Sequence, residues 1–304
     1  MLSIIICSRS SKLCDSLLEN ISNTIGVEYE IIAIDNSNNQ HSIFSAYNEG
    51  YAQSKFPFIC FVHEDVLFHS SKWGELIIRH LELPKSGILG LSGGELIVRN
   101  PGAGSALITC EKITQSDLRG KKSTQRIHLP EGYNKSRLPV VVLDGVFLCM
   151  RRELMTQICF DEQLKGFHGY DIDISIQSTL AGYVNYVIYD IDLEHFSRGK
   201  MDIVYYRNYI RIFKKWEKYL PLCGIGVTCQ LRSQIDEIER IGLKVLTKNL
   251  VRSGMSIAEI SDEISFFTNL TPTLKNLNNL KNIRLQIIFI RLLSCPKYFF
   301  RQIK

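Results

Sequence analysis

The chain has 304 residues, of which 45% are hydrophobic and 22% are charged. This length and composition are typical of one large globular domain, or of one domain with a substantial appendage, and they exclude disorder for the bulk of the chain. The net charge of +5 is too small to indicate nucleic-acid binding by itself, and the basic residues follow no recognised nucleic-acid motif.

The first part of the chain alternates short β-rich runs with segments of helical periodicity, which predicts an α/β domain with a mostly parallel sheet. The runs are nearly all apolar, as expected for strands that are covered on both faces. No basic region precedes the first run and no cleavage site follows it, so we predict a strand there and not a signal peptide. The predicted strands are Ser3–Cys7, Tyr29–Ile34, Phe58–Val62 and Gly87–Leu91. The predicted helices are Lys12–Thr24, His41–Ser54 and Ser71–Leu81.

Between Gly93 and Pro139 the periodicity disappears and Gly, Ser, Lys and Arg become frequent, which predicts a long functional or mobile loop. The basic residues of this loop either close over a diphosphate or are simply solvated, and both interpretations stay open. They include Arg99, Lys121, Lys122 and Arg126. The apolar run Val140–Met150 follows, then a helix that begins at Asp171 and a last strand over Tyr183–Ile188.

Beyond Met201 the pattern becomes helical and aromatic. The stretch from Ser265 to Lys304 contains basic and apolar residues but no acidic residue. This composition suits either an anionic membrane surface or packing on the rest of the chain or on another subunit, and both stay open. Its most apolar part, Leu285–Cys295, is interrupted by Arg291 and is shorter than the roughly 20 residues that span a bilayer.

The nine cysteines are scattered, with no Cys-x-x-Cys pair and no regular spacing, which indicates neither a zinc site nor a disulfide framework. Several lie in apolar runs, among them Cys60 and Cys149, where a thiol packs as a small hydrophobic group. We therefore expect free thiols and a reducing, cytoplasmic compartment.

Polar residues follow each of the first three predicted strands, at the point where the strand ends. Because ligands of an open α/β sheet bind beyond the carboxyl ends of its strands, this edge is the expected site. Turns also favour Asp, Asn and Ser, so each cluster alone is a weak signal and the three together are a stronger one. The clusters are Ser8 and Arg9 after the first strand, Asp35, Asn36 and Ser37 after the second, and His63, Glu64 and Asp65 after the third.

Four short motifs of the first half come in a distinctive order, at residues 3–9, 34–37, 48–50 and 61–66. Together they resemble the nucleotide-sugar half of a family 2-type glycosyltransferase of the GT-A fold. The resemblance implies a donor-nucleotide site that contains Ser8, Arg9 and Asp35, with Asp35 on the nucleotide base. It also implies that a DxD-like segment, here His63-Glu64-Asp65, holds the ribose and a metal-bound pyrophosphate. His63 replaces the usual first Asp of that segment, whereas Asp65 keeps the last position, which usually binds the metal.

Four motifs of the second half, at residues 144–153, 160–162, 166–173 and 194–199, are similar to the acceptor half of the same family. The resemblance implies that Asp171 is the catalytic base. It also implies that His195 lies on the loop that closes the metal site. Tyr170 stands where a Glu is common in the family.

A nucleoside diphosphate leaving group carries concentrated negative charge, which a divalent cation on hard oxygen ligands neutralises. Asp65 offers such an oxygen, and His195 adds an imidazole, which suits Mn²⁺ better than Mg²⁺; we predict one of these two ions. The pair forms a metal site only if the fold brings the two together; otherwise Asp65 is a turn residue and His195 a structural histidine. For His63, contact with ribose or phosphate and capping of the strand end both stay open.

The acceptor hydroxyl loses its proton while the anomeric carbon passes through an oxocarbenium-like state, and a positioned carboxylate serves as the general base. Asp171 is the predicted base, near a helix start whose dipole favours the ionised form; the alternative is a helix N-cap. Asp173 faces another direction and is expected to brace the loop or to orient the acceptor. Asp144 and Gly145 are the other predicted acceptor- or sugar-binding residues. Gly145 either lets donor or acceptor approach the backbone closely or marks a strand bulge. A single base implies direct displacement, hence inversion at the anomeric carbon.

We therefore expect a GT-A-type nucleotide-diphospho-sugar transferase fold, with a mostly parallel, Rossmann-like sheet. Residues 1–200 are the expected catalytic domain, and residues 201–304 are an expected helical region that oligomerises or contacts a membrane. The expected function is metal-dependent, inverting transfer from a UDP- or other NDP-sugar to a glycan or lipid-linked acceptor, in bacterial surface polysaccharide or lipid-linked glycan synthesis. The expected location is the cytoplasm, peripherally at the inner face of the plasma membrane.

Two other functions stay open at this point. A sugar-phosphate nucleotidyltransferase would need a Gly-rich phosphate loop after the first strand, and residues 8–12 contain no glycine. A non-catalytic protein that binds a glycan or a partner is kept open by the altered motifs at His63 and Tyr170, because a fold does not imply a function. Donor turnover with and without metal distinguishes the non-catalytic protein from an enzyme.

Overall fold

The computed structural model of the chain describes residues 1–103, 110–117, 123–129, 135–196, 201–225 and 233–271. Lys121, Lys122 and the basic segment beyond residue 271, with Leu285–Cys295, lie outside the described residues. The chain forms two compact units. The first comprises Met1–Leu96, Ala106–Gly199 and Cys223–Gly226, and the second comprises Ile97–Ser105, Lys200–Leu222 and Val227–Lys304.

Short strands and helices alternate along the described part of the chain. The strands are β1 Leu2–Ser8, β2 Tyr29–Asp35, β3 Phe58–Val62, β4 Val66–Phe68, β5 Ser86–Gly90, β6 Ser92–Gly94, β7 Leu96–Ile97, β8 Cys110–Ser116, β9 Ser123–His128, β10 Arg137–Val140, β11 Val142–Leu143, β12 Phe147–Arg151, β13 Val184–Ile188, β14 Leu193–His195 and β15 Leu222–Cys223. The helices are α1 Asp15–Thr24, α2 Ile43–Gln53, α3 Trp73–Leu81, α4 Tyr170–Leu180, α5 Ile203–Lys215, α6 Ile235–Arg252 and α7 Ile257–Leu270.

The main sheet belongs to the first unit and has the strand order β10-β13-β5-β12-β3-β1-β2. Strands β2, β1, β3, β5 and β13 share one direction, whereas β12 and β10 run antiparallel to their neighbours. Strands β1 and β3 are almost wholly buried, which explains their mostly apolar sequence. The predicted α/β class with a mostly parallel sheet is confirmed, and each element predicted before residue 92 forms within three residues of its predicted bounds.

A second sheet of the first unit has the order β11-β6-β8-β14-β4, with β9 paired to β8. The prediction of a long loop over Gly93–Pro139 is wrong, because β8 and β9 form a regular antiparallel ladder within it. Every residue of β9 is exposed and most of its side chains are polar. The strand therefore has no apolar face, and alternation of apolar and polar residues could not reveal it.

Cys60 and Cys149 form a disulfide, so the prediction of free thiols is wrong for these two residues. They are direct partners in the antiparallel pairing of β3 with β12, a neighbour relation hidden by their sequence separation of 89 residues. Cys7 is outside this disulfide. Burial raises the pKa of the Cys7 thiol to about 11, so this thiol stays protonated near neutral pH.

The second unit contains helices α5, α6 and α7. Glu239 of α6 is completely buried, and its carboxylate accepts hydrogen bonds from Arg99 Nη1 and from Thr271 Oγ1, each at 2.9 Å. A buried carboxylate is stable only when it is paired in this way. This contact favours a structural interpretation of Arg99 over a role in closing on a diphosphate. Among the helices of the described residues, none is long and apolar enough to cross a membrane.

Helix α2 packs on β1 through Gly50. A Cβ atom at Gly50 would lie 2.2 Å from Cγ2 of the buried Ile5. We expect Gly50→Ala to lower the free energy of unfolding by about 1–2 kcal/mol, because overpacking outweighs the gain in helix propensity. Urea titration measures the change, with Gln53→Ala at an exposed position of the same helix as the control. A Gly50→Ala variant as stable as the wild type would contradict this packing.

Candidate active site

The carboxyl ends of β1 and β2 lie side by side, and the polar residues there form the first part of the site. Ser8 is the register partner of Asp35, and the Asn36 N–H donates to the Ser8 carbonyl oxygen at 2.7 Å. Asp35 is exposed, and its Oδ1 accepts from the Ser37 N–H at 2.9 Å. That hydrogen bond lowers the pKa of Asp35, so the residue offers an ionised acceptor at neutral pH at the edge of the sheet.

Glu64 links the ends of β1 and β3. Its carboxylate accepts from Ser8 Oγ and from Arg9 Nε, both at 2.7 Å, and from the Arg9 N–H at 3.1 Å. The Arg9 side chain is nevertheless 72% exposed. Ser8, Arg9 and Glu64 therefore form one hydrogen-bonded group, which presents a cationic side chain at the surface of the site.

Asp65 and His195 are brought together by the pairing of β4 with β14. In this antiparallel register His195 is opposite Val66, the residue after Asp65. The Phe196 N–H also donates to the Asp65 carbonyl oxygen at 3.0 Å. As a result the His195 Nε2 atom lies 3.4 Å from Asp65 Oδ1. The fold thus brings Asp65 and His195 together, as a metal site formed by this pair requires.

His63 joins the same cluster. Its Nδ1 lies 3.4 Å from His195 Nε2 and 3.9 Å from Asp65 Oδ1. Burial, followed by the neighbouring His195, lowers the pKa of His63, so its ring is neutral near pH 7. The cluster therefore offers two imidazole nitrogens and one carboxylate oxygen, with all three side chains half-buried.

Gln115 of β8 fixes the orientation of the His195 ring. Its Nε2 donates to the His195 carbonyl oxygen at 3.0 Å, and its Oε1 lies 3.2 Å from His195 Nδ1. Since the amide oxygen can only accept, His195 Nδ1 carries a proton, and in the neutral ring that ligates a metal the Nε2 lone pair faces Asp65. Gln115 lies in the segment that was predicted as a loop, so sequence reasoning gave no signal for it.

The donor set of this cluster fits a divalent transition-metal ion. A point equidistant from His63 Nδ1, Asp65 Oδ1 and His195 Nε2 would lie about 2.1 Å from each atom, within the range of metal–nitrogen and metal–oxygen bonds. An arrangement of lone pairs that face one another is electrostatically unfavourable unless a cation lies among them. Imidazole with carboxylate suits Mn²⁺ better than Mg²⁺.

Asp171 lies in the first turn of α4. Gly169 precedes the helix with φ of 88°, a conformation that favours glycine, and its carbonyl oxygen accepts from the Asp173 N–H at 3.0 Å. The N-cap position therefore belongs to Gly169, and the N-cap interpretation of Asp171 is wrong. Asp171 accepts from the Gly145 N–H at 3.0 Å and from the Ile172 N–H at 2.9 Å. Burial, followed by the nearby Asp144, nevertheless raises the pKa of Asp171 to about 7.

Gly145 and Tyr170 link Asp171 to the cluster of His63, Asp65 and His195 through hydrogen bonds. A Cβ atom at this position would lie 2.2 Å from Tyr170 Oη, so the absence of a side chain lets Tyr170 donate to the Gly145 carbonyl oxygen at 2.9 Å. Tyr170 Oη also lies 2.8 Å from His63 Nε2. The close neighbour of the Gly145 backbone is thus the side chain of Tyr170. The adjacent Asp144 is exposed, and its Oδ1 accepts from the Val146 N–H at 3.1 Å.

Asp173 bonds to Gln177 of the same helix and not to Asp171 or Gly145. Its side chain is 1% exposed and accepts from Gln177 Nε2 at 2.8 Å, one helical turn on. The same Nε2 donates to the Cys159 carbonyl oxygen at 2.9 Å. This geometry favours the bracing role over direct contact with an acceptor.

Residues 3–216 match the family described as "Glycosyltransferase like family". No curated protein sequence matches the chain. Among solved structures, GalNAc-T7 with UDP, GalNAc and Mn²⁺ is similar, with a TM-score of 0.51 and 12% identity over 90% of this chain and 58% of that one. TarS of S. aureus is similar with a TM-score of 0.50 and 13% identity over 93% of this chain and 54% of that one.

A shorter form, S. aureus TarS 1–349 in complex with UDP-GlcNAc, has a TM-score of 0.54 and 12% identity over 95% of this chain and 87% of that chain. The chain thus spans less than two thirds of GalNAc-T7 and of TarS. Identities this low show the fold alone, and the shared fold confirms the fold class predicted from the sequence.

Proposed function

Because the chain belongs to the glycosyltransferase-like family, whose profile matches residues 3–216, we propose that it transfers a sugar from a nucleoside-diphosphate donor to an acceptor hydroxyl. The observation that carries this proposal is the convergence of metal-ligating atoms and a candidate base in one compact unit. The metal-ligating cluster is joined to the base Asp171 by the hydrogen bonds of Tyr170 and Gly145. A leaving group that needs a cation and an acceptor that needs a base are the two requirements of this reaction.

On the donor side, Asp65 and His195 hold a divalent ion, Mn²⁺ in preference to Mg²⁺. When bound, such an ion neutralises the charge that develops on the departing diphosphate. Arg9 offers a cationic side chain on the donor side. Its exposed guanidinium pairs with Glu64, and we expect it to turn towards a phosphate when one is present. Ser8 lies in the same hydrogen-bonded group.

Asp35 is the proposed contact for the nucleotide base. Its exposed carboxylate lies at the end of β2 beside the Ser8 position and is kept ionised by the Ser37 N–H. A carboxylate accepts hydrogen bonds from the N–H groups that a nucleotide base presents. Two similar structures contain UDP or UDP-GlcNAc, which makes a UDP-sugar the first donor to test.

On the acceptor side, Asp171 is the proposed general base, with Asp144 and Gly145 beside it. The acceptor oxygen forms a bond to the anomeric carbon as the bond from that carbon to the diphosphate oxygen breaks. The acceptor proton passes to the Asp171 carboxylate, and the nucleoside diphosphate leaves with the bonding electron pair. One base and one displacement invert the configuration at the anomeric carbon.

A glycan or lipid-linked acceptor, a role in bacterial surface polysaccharide synthesis, and a peripheral membrane position remain predictions from the sequence. The division into a catalytic domain over residues 1–200 and a helical region over 201–304, which oligomerises or contacts a membrane, also remains a prediction from the sequence.

A donor screen tests the proposed function. UDP-, GDP- and other NDP-sugars are incubated with Mn²⁺ and candidate acceptors, and released nucleotide and glycosylated product are both quantified. We expect one donor class to give product, with the anomeric configuration inverted in the product's NMR coupling constants. Retention of configuration would contradict the single-base mechanism, and no turnover of any donor by folded protein would favour the non-catalytic alternative.

The raised pKa of Asp171 predicts the pH dependence of the reaction. The base works only when it is ionised, and its pKa is raised to about 7, so kcat is expected to rise with pH and to level off above that value. The rise should be about tenfold per pH unit well below pH 7. Single-turnover rates from pH 5.5 to 9 measure it; a rate that is already independent of pH at pH 5.5 would contradict the assignment.

A further inference from the structure

We propose that His63 is a third protein ligand of the divalent ion, and that the Tyr170 hydroxyl is a positioning residue that holds the His63 ring in its metal-binding form. This inference rests on the proposed ion site at Asp65 and His195, and it assigns a joint role to two residues that depart from the usual family motifs.

The hydrogen-bond directions around Tyr170 determine the form of the His63 ring. The carbonyl oxygen of Gly145 can only accept, so the single hydroxyl proton of Tyr170 is donated there at 2.9 Å. Tyr170 Oη must then accept from His63 Nε2, which lies 2.8 Å away. A ring that ligates a metal must be neutral, and its single proton is then on Nε2, so that Nδ1 carries a lone pair.

The lone pair of His63 Nδ1 faces the proposed ion. This atom lies 3.4 Å from His195 Nε2 and 3.9 Å from Asp65 Oδ1, and the ligand atoms of the three residues lie within 4.8 Å of one another. His195 is held in the complementary form, because its Nδ1–H donates to Gln115 Oε1. Each imidazole thus donates its one proton away from the cluster and presents its other nitrogen to it, as metal-ligating histidines do.

Packing around Tyr170 holds its hydroxyl beside His63. Tyr170 is buried, with 4% of its side chain exposed, and its ring packs against Tyr47 at 5.5 Å and Phe160 at 6.2 Å between centroids. Gly145 leaves room for the hydroxyl, since a Cβ atom there would lie 2.2 Å from Oη. A bulky aromatic packed into place and a glycine opposite its hydroxyl fix the position of that oxygen beside His63.

The test measures Mn²⁺ binding to the metal-free protein by EPR, without nucleotide or turnover. Tyr170→Phe is expected to weaken Mn²⁺ binding about 10–100-fold, the usual effect of losing an outer-shell partner of a ligand. Tyr183→Phe is the control. It removes a tyrosine hydroxyl whose partner is Gln157 Nε2 at 2.8 Å and not a residue of the cluster, and we expect unchanged binding.

A double-mutant cycle separates positioning from a general structural effect. His63→Ala should weaken Mn²⁺ binding at least as much as Tyr170→Phe does, and Tyr170→Phe should have no further effect in the His63→Ala background. An equal loss in both backgrounds, or no loss from Tyr170→Phe in the wild type, would overturn the inference while leaving the ion site at Asp65 and His195 in place. A wild-type protein that binds no Mn²⁺ would overturn the ion site itself.

A measurement on the unmodified protein covers the case in which Tyr170→Phe does not fold. Nitrogen-15 NMR of the metal-free wild type reports which ring nitrogen of each histidine carries the proton. We expect the proton of His63 on Nε2 and that of His195 on Nδ1. A His63 ring protonated on Nδ1 would overturn the proposal.

Discussion

Asp171→Asn is expected to lower kcat by about 10²–10⁴-fold, because an amide cannot take the proton of the acceptor hydroxyl. The carboxylate accepts hydrogen bonds from the Gly145 and Ile172 N–H groups, and the amide oxygen keeps one of these two contacts. Binding of nucleotide and of Mn²⁺ should therefore stay within a few-fold of the wild-type values. Single-turnover product formation and calorimetric titration of nucleotide measure the two effects separately.

Asp15→Asn is the matched control for this prediction. Asp15 is an exposed residue in the first turn of α1, so the same chemical change is made at the same type of helix position away from the site. The control should keep the wild-type rate. If Asp171→Asn also kept that rate, the proton would be taken elsewhere and the base assignment would be wrong. The pH dependence expected near pH 7 should disappear together with the carboxylate.

Asp65→Asn is expected to weaken Mn²⁺ binding by more than about 100-fold, since losing even an outer-shell partner of a ligand costs 10–100-fold. Asp65 supplies the only carboxylate of the three-residue cluster found among the described residues. The amide leaves only a neutral oxygen, a weaker ligand, in place of the carboxylate and removes the negative charge that compensates the ion. Nucleotide binding in the presence of Mn²⁺ should fall with it, towards the level measured in EDTA.

Glu194→Gln is the control for the loss of charge. Glu194 directly precedes the proposed ligand His195 in β14, but its carboxylate bonds to His69 and Ser116 and not to the cluster. The variant should retain Mn²⁺ binding. Equal weakening by Asp65→Asn and Glu194→Gln would point to a general electrostatic effect and would remove the argument for Asp65 as a ligand.

The parts of the fold that follow from local pattern could be predicted from the sequence. Strands β1, β2 and β3 are apolar runs that end in polar turns, and their parallel pairing places Ser8, Asp35 and His63 at one edge of the sheet. The start of α4 is likewise marked by Gly169 and the acidic residues after it. These signals come from residues close together in the chain, so the sequence alone is enough to predict these elements.

The remaining features depend on contacts between residues far apart in sequence. The approach of His195 to Asp65 is set by the register of β4 with β14, and both strands have only three residues, too few for a periodic pattern. Gln115 lies in a strand with little apolar alternation, and the Cys60–Cys149 disulfide joins strands 89 residues apart. Tyr170 was visible as a departure from the family motif, but its bond to His63 depends on tertiary packing.

The most direct test of the account is calorimetric titration of UDP, GDP and other nucleoside diphosphates into the wild-type protein, once with Mn²⁺ and once with EDTA. We expect one nucleotide to bind in the presence of Mn²⁺, and EDTA to abolish or strongly weaken this binding. Folded protein that binds no nucleoside diphosphate under either condition would contradict the donor site, and binding that is equally strong in EDTA would contradict the role of the metal.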